Sequence, residues 1–209
     1  MYKQPAFYFD ASACSGCKTC QMACKDKHNL EGSMLWRKVY EVSGGHWEQQ
    51  GPAWQHKVFS YNISMACNHC QDPICVKSCP NKAITKNQDG VVLIDSERCM
   101  GCRYCEWTCP YGALMYDSNS KVMTKCTMCY DYLMEGSKPS CVTACPMRAL
   151  DMGELQELQA RYGKNAEIYP LASAGITQPG LVVTNHKDVD MARSGQGKVN
   201  NEEEVNHGA

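Results

Sequence analysis

The sequence predicts an α+β fold of two similar units, one nested inside the other, with a β-hairpin insertion and an irregular C-terminal extension. Three observations lead there. Sixteen cysteines in 209 residues fall into four tight groups. A C-P-x-x-A-[IL] phrase recurs after three of those groups, as Pro80-Asn81-Lys82-Ala83-Ile84, Pro110-Tyr111-Gly112-Ala113-Leu114 and Pro146-Met147-Arg148-Ala149-Leu150. The strand-like run Gly90-Val91-Val92-Leu93-Ile94-Asp95 joins the second group to the third, so those two are contiguous and the first and fourth must enclose them.

Composition excludes several classes. A formal charge of −1, from 21 basic against 22 acidic side chains, gives no field that would steer the chain to nucleic acid or anionic lipid. Apolar runs fall far short of the roughly 18–20 residues of a membrane span. Met1–Asp10 has neither a long apolar core nor a small-residue cleavage pattern, so no secretion signal is expected of the chain itself; a passenger of a signal-bearing partner has the same appearance.

The first group is Cys14, Cys17, Cys20 and Cys24, spaced C-x2-C-x2-C-x3-C. The second, Cys67, Cys70, Cys75 and Cys79, is spaced C-x2-C-x4-C-x3-C-P, and the third, Cys99, Cys102, Cys105 and Cys109, returns to C-x2-C-x2-C-x3-C-P. The fourth, Cys126, Cys129, Cys141 and Cys145, has eleven residues between its second and third cysteines and ends at Pro146. Three closely spaced thiolates wrap one cubane, whereas the cysteine of the following C-x3-C-P run ligates the other cluster of a pair. Each group then supplies three ligands plus one, groups combine in twos, and four [4Fe–4S] clusters with all sixteen cysteines as iron ligands are expected. Structural zinc prefers two C-x2-C pairs, a form that only the fourth group approaches. A disulfide framework fits dense C-x2-C-x2-C runs poorly.

Gly16 and Gly101 occupy the same slot between the first two cysteines of their groups, where the backbone must pass close to an inorganic core. Lys18, Lys77 and Arg103 lie near enough in sequence to bias its potential. Phe9-Asp10 precedes Cys14 as Ile94-Asp95 precedes Cys99, extending the repeat upstream. The organisation expected is a split outer ferredoxin-like unit of residues 1–30 plus 119–155, a β-rich insertion of residues 31–63, an inner ferredoxin-like unit of residues 64–118, and an extension of residues 156–209. In the insertion, the alternation in Lys38-Val39-Tyr40-Glu41-Val42 predicts hairpin strands, and Trp36, Trp47, Trp54 and Phe59 read as packing or shielding aromatics more readily than as a binding surface. The extension reads as partner-docking, and Ser194 to Ala209, with Glu202-Glu203-Glu204, as a disordered or partner-ordered tail. His28, His46, His56 and His69 are not spaced as a metal set; His69, inside Cys67-Asn68-His69-Cys70, reads as packing at a contact or tuning a cluster.

The cysteine skeleton, with Arg37-Lys38-Val39-Tyr40-Glu41, Gly44-Gly45-His46-Trp47, Cys67-Asn68-His69-Cys70, Cys99-Met100-Gly101-Cys102-Arg103-Tyr104-Cys105 and Cys109-Pro110-Tyr111-Gly112-Ala113, resembles the four-cluster iron–sulfur (B) subunits of molybdenum oxidoreductases, of the anaerobic dimethyl sulfoxide reductase kind. The resemblance runs from Phe7 to about residue 185. It implies that Cys14, Cys17, Cys20 and Cys145 hold a first cluster, nearest a molybdopterin catalytic subunit, and that Cys24, Cys126, Cys129 and Cys141 hold a second. Cys67, Cys70, Cys75 and Cys109 would hold a third, and Cys79, Cys99, Cys102 and Cys105 a fourth, nearest a quinol-oxidising membrane anchor. Cysteine at position 102, where related subunits sometimes carry another residue, implies four cubanes rather than a three-iron cluster.

The function expected is relay of single electrons from menaquinol to a molybdenum site in a heterotrimer peripheral to a bacterial inner membrane, with no catalytic residue on this chain. Both the periplasmic side, by co-export with a twin-arginine partner, and the cytoplasmic side fit the sequence. A free soluble polyferredoxin has less use for the insertion and the extension; the same relay in a polysulfide, formate or other oxyanion complex shares the cysteine skeleton. Clusters that merely brace a fold would be redundant at four per chain.

Overall fold

The structure, a computed structural model, describes residues 3–206. In chain order its elements are β1 (Pro5–Asp10), α1 (Thr19–Lys27), β2 (Arg37–Gln50), β3 (Ala53–Ala66), α2 (Ile74–Ser78), β4 (Ile84–Lys86), β5 (Val92–Ile94), α3 (Tyr104–Thr108), β6 (Leu114–Asp117), β7 (Val122–Lys125), α4 (Tyr130–Met134), α5 (Ser140–Thr143), β8 (Leu150–Glu154), α6 (Leu155–Tyr162), β9 (Leu181–Thr184), α7 (Val189–Met191), β10 (Gly197–Val199) and α8 (Glu202–Asn206). The mixture of short strands and short helices is the α+β class that the sequence predicts. No helix is long and apolar enough to cross a membrane among the described residues.

β1 organises the sheet that ties distant parts of the chain together. It pairs antiparallel with β8, Phe7 opposite Met152 and Phe9 opposite Leu150, and parallel with β9, Phe7 opposite Leu181 and Phe9 opposite Val183. Strand side chains alternate between faces. Phe7 and Phe9, with Leu150, Met152, Leu181 and Val183, enter the main core. Ala6 and Tyr8, with Val182, face Leu155 and Leu158 of α6 instead, and Tyr8 stacks on Tyr162 with ring centroids 3.7 Å apart. Both faces of β1 are therefore buried, which explains its unbroken apolar reading, Ala6-Phe7-Tyr8-Phe9.

Residues 156–209 depart from the irregular extension expected. Leu181-Val182-Val183 is a fully buried strand at the edge of the β1 sheet. A three-residue apolar run gives no periodicity, and the polar sequence around it hides it. The tail departs further: over residues 194–206 it is folded, with β10 pairing antiparallel with β2, Val199 opposite Val42, and α8 following. Its polar composition misleads because the polar groups are used. Asn201 Nδ2 donates to Val39 O at 2.8 Å, its Oδ1 accepts from Glu41 N at 2.9 Å, and Glu204 takes bonds from Lys18 Nζ at 2.5 Å and Gln21 Nε2 at 2.9 Å. Residues 207–209 lie outside the described ones.

Within and just beyond residues 31–63, β2 and β3 form a hairpin in register from Arg37 opposite Ala66 to Gln50 opposite Ala53, so the second strand runs past the bound expected at 63. Its root enters the core through Val39, Val42, Phe59, Tyr61, Ile63 and Met65. The four aromatics divide. Phe59 is buried and Trp36 packs against the core, but Trp47 and Trp54 are 59% and 62% exposed at the tip, against the shielding role expected for them. A strand alternation buries side chains only where a second layer lies behind it.

Between residues 84 and 125 lie two small hairpins, β4 with β5 and β6 with β7, and α2 packs on α3 beside them. Ile84, Val92, Leu114 and Met123 close around Cys75 and Cys105 in a separate apolar cluster.

The acid sensitivity of the tail follows from Glu204. Burial opposes its charge, but bonds from Lys18, Asn201 and Gln21 prevail and hold its carboxyl down at about 2. A depressed carboxyl contributes stability above its ordinary pKa of about 4.5 and loses it as pH falls towards the folded value. Glu204→Gln at pH 7 should therefore raise hydrogen exchange at the β10-facing amides of Val42 to Gly44 severalfold, as lowering the pH below about 4 should in the native chain after correction for intrinsic rates. Unchanged protection in the variant would show that the tail is held by other contacts.

Candidate metal centres

The repeated sequence phrases produce repeated backbone shapes. In each C-P-x-x-A-[IL] phrase the third residue after the cysteine has positive φ, 50° at Lys82, 55° at Gly112 and 53° at Arg148. Its N–H bonds back to that cysteine's carbonyl, Lys82 to Cys79 at 3.2 Å, Gly112 to Cys109 at 3.2 Å and Arg148 to Cys145 at 3.3 Å. The upstream repeat is also physical. Asp10 Oδ1 accepts from Ser12 N at 2.9 Å and Asp95 Oδ1 from Glu97 N at 3.0 Å, the same Asx turn ahead of each first cysteine.

Gly16 and Gly101 share a conformation, φ 71° and 67°, followed two residues later by left-handed Lys18 and Arg103 at 59° and 61°. Space is tight at both glycines. A Cβ on Gly16 would lie 2.6 Å from the Asn62 side chain, and one on Gly101 would lie 2.3 Å from Lys121 O.

These turns bring cysteines of different groups close together. Cys14 feels Cys20, Cys145 and Cys17. Cys24 feels Cys141, Cys129 and Cys20, and Cys126 feels Cys24, Cys67 and Cys141. Cys75 feels Cys67, Cys109 and Cys70. Cys105 feels Cys102, Cys79 and Cys99. Two cavities are each lined by four cysteines: Cys14, Cys17, Cys20 and Cys145 with Phe9, Val39 and Leu150, and Cys79, Cys99, Cys102 and Cys105 with Ile84 and Met123.

The electrostatics favour soft, positively charged guests. Burial pushes the thiols of Cys14 and Cys70 up to about 11 and those of Cys24, Cys75 and Cys105 up to about 12. Exposed Cys17 moves the other way, through a hydrogen bond with the Thr19 hydroxyl. Buried thiols become ligands when a metal supplies the charge that water would otherwise stabilise, releasing their protons. All sixteen cysteines are free. Among the described residues no three His, Cys, Asp or Glu side chains are spaced for a single metal ion. Four-thiol cavities of this kind fit a polynuclear iron–sulfur group.

Donors already point at the sulfurs. Ala83 N lies 3.3 Å from Cys79 Sγ, Met123 N 3.4 Å from Cys99 Sγ and Met128 N 3.3 Å from Cys126 Sγ. Thr177 Oγ1 donates to Cys70 Sγ at 3.2 Å, and Ser64 Oγ lies 3.1 Å from Cys20 Sγ. Thr177, which sequence reasoning passed over, comes from the extension. Of the histidines, His28 Nε2 lies 3.4 Å from Cys129 Sγ, and burial lowers its pKa. His69 is fully buried, its Nδ1 accepting from Val92 N at 3.0 Å; burial and then Lys125 and Lys86 keep it neutral. His46 pairs with Glu48 and His56 meets Trp47, both away from the sulfurs. Lys77, one of the cations expected near a cluster, bonds instead to Asp72 at the surface.

Comparison with known proteins agrees with this geometry. A family model described as a 4Fe-4S dicluster domain matches residues 58–155. The B subunit of the anaerobic dimethyl sulfoxide reductase of Haemophilus influenzae is 47% identical over 97% of this chain and 100% of its own length. This chain belongs to the iron–sulfur B-subunit family. The corresponding B subunit of Escherichia coli K12 is 46% identical over 88% of this chain and 89% of its own, and the polysulfide reductase B subunit of Wolinella succinogenes is 32% identical over 90% and 97%. As a B subunit the chain is an iron–sulfur electron-transfer component of a molybdoenzyme-type complex, not its catalytic subunit.

Gly101 and Gly112 give a sharp comparison. Gly101→Ala and Gly112→Ala both place alanine at positive φ, a strain of about 1–2 kcal/mol, but only the first meets backbone; a Cβ at Gly112 has nothing within 4 Å. Gly101→Ala should cost on the order of one cluster's iron, about four atoms, and Gly112→Ala almost none. Equal iron in both variants would mean that the close approach at Gly101 does not shape the centre.

Proposed function

We propose that the sixteen cysteines hold four [4Fe–4S] clusters in crossed sets and that the chain relays electrons singly between a quinol-oxidising membrane anchor and a molybdopterin catalytic subunit of the dimethyl sulfoxide reductase type. The clusters supply reversible one-electron capacity. The observation that carries the reading is the pattern of exposure. Cys17 and Cys102, one in each cavity-lining set, are exposed; Cys24, Cys126, Cys129 and Cys141 are all buried, as are Cys67 and Cys75. A wire needs two accessible ends and a dry middle.

Neighbouring sets adjoin in an order that suits a wire. Cys20 feels Cys141, joining the first set to the second. Cys126 feels Cys67, joining the second to the third, and Cys75 shares an apolar cluster with Cys105 of the fourth. The pairing of β1 with β8 and the packing of α1 on α5 favour an outer unit of residues 1–30 plus 119–155, enclosing an inner unit of residues 64–118. Met100, Tyr104 and Trp107, the last 77% exposed, flank Cys102 and suit an anchor contact; Met147 beside Cys145 suits a catalytic partner at the other end. Similarity to the polysulfide reductase B subunit favours, as second reading, the same relay serving another terminal substrate.

Anaerobic purification of the tagged native protein should give about sixteen irons per chain, four clusters of four, with a molybdenum-containing large subunit and a membrane protein attached. Cys145→Ser should remove the same electron paramagnetic resonance signal as Cys14→Ser and leave the others. A zinc-loaded or monomeric sixteen-iron product, or loss of different signals in the two variants, would defeat the relay or the crossing respectively.

A further inference from the structure

Arg37 is an unusual residue to bury. It is 2% exposed, at the root of β2, in the part of the core that contains the first two sulfur sets. Arginine stays charged in any protein environment, and a buried charge without a partner is costly. No carboxylate pairs with it among the described residues. Its Nη1 donates to Ser64 O at 3.3 Å and Ser64 Oγ at 3.1 Å, and its Cζ lies 4.6 Å above the Phe7 ring. Nε and Nη2 are buried and meet no oxygen acceptor, and the Cys141 thiol is within hydrogen-bond reach of the guanidinium. The groups that act most strongly on its charge are the sulfurs of Cys141, Cys20, Cys126 and Cys24.

A guanidinium kept only for packing would have its donors filled by carbonyls, because an empty buried donor costs about 1–3 kcal/mol. Here two donors lack an oxygen acceptor and lie beside cysteines drawn from two different sets. Ser64 extends the connection, since the hydroxyl that receives Nη1 also touches Cys20 Sγ at 3.1 Å.

The geometry points to Arg37 as a fixed positive bridge between the two clusters of the outer unit, its Nε and Nη2 donating to cluster or cysteinyl sulfur and its charge stabilising the reduced state of both. This rests on the cluster reading above. The charge compensates thiolate and sulfide in a buried site. Added electrons are held more firmly where a cation sits close by in a low-dielectric site, so Arg37 raises the potentials of the first two clusters above those they would have without it. Arg37 is a positioning and tuning residue; it takes up no electron.

The test is a redox titration, followed by electron paramagnetic resonance, of the intact complex carrying Arg37→Gln or Arg37→Lys. Arg37→Gln should retain the inner-unit potentials and make reduction of the outer-unit clusters at least tenfold less favourable, about 59 mV more negative for one electron. Arg37→Lys should restore most of the shift. Should Arg37→Gln fail to load the outer unit, native complex labelled with nitrogen-15 in arginine guanidino groups decides the matter by pulsed resonance: a weak nitrogen-15 coupling on an outer-unit signal that disappears in Arg37→Lys is expected. Unchanged potentials in a fully loaded Arg37→Gln complex, or no coupling in the labelled native complex, would overturn the bridge. Native complex without four reducible clusters would instead overturn the reading on which it rests.

Discussion

Much of the core of this protein is sulfur, and that constraint governs the rest. Cys20, Cys67, Cys126, Cys141 and Cys145 are buried members of the main apolar cluster, and Cys75 and Cys105 anchor the second. Burial makes the thiols of Cys20, Cys75, Cys105, Cys126 and Cys141 resist ionisation, while iron binds only the thiolate, so folding and loading depend on each other. The short elements follow from this. Helices such as α2, α3 and α5 are four or five residues long, too short to be stable alone. Each delivers a cysteine and ends, and what fixes its place is the sulfur set and the few apolar side chains around it.

The β1 sheet answers the second demand, which is to bring together sulfurs that lie far apart in the chain. Cys14 and Cys145 meet because β1 runs into the first cysteine group and β8 runs out of the last, paired across the sheet from Pro5 opposite Glu154 to Phe9 opposite Leu150. A register slip of one residue would turn Phe7 and Phe9 out of the core and put Tyr8 into it. β9 closes the remaining edge of β1, removing an open row of hydrogen-bonding groups beside the centres.

What the sequence makes legible is whatever repeats. The Asx turns at Asp10 and Asp95, the glycines at 16 and 101 and the three turns after Cys79, Cys109 and Cys145 are local, are set by a few residues, and recur with the same backbone conformation. β9 and β10 are not legible because each is a strand of three or four residues whose stability comes from a distant partner, β1 or β2, and leaves no period of its own. Trp47 and Trp54 mislead for the opposite reason. Their alternation along the hairpin is real, but the layer that would bury them is absent at the tip among the described residues. Arg37 stands within a segment that resembles the B subunits, yet arginine is almost always exposed, and nothing in its neighbours announces that the side chain turns inward.

The hairpin is therefore more than a cover. Three residues near its root reach the cysteine-lined core: Arg37 from β2, and Asn62 and Ser64 from β3. Asn62 limits the space at Gly16, Ser64 touches Cys20, and Arg37 brings a permanent charge close to Cys141, Cys20, Cys126 and Cys24. Paired strands about 45 Å long would be an extravagant shield, but a stiff two-stranded lever whose base is locked by Val39, Val42, Tyr61 and Ile63 holds those three side chains to a fixed geometry. β10 and α8 stiffen the same base from outside by binding Val39, Glu41 and Lys18. The insertion and the polar tail thus converge on the first cysteine group.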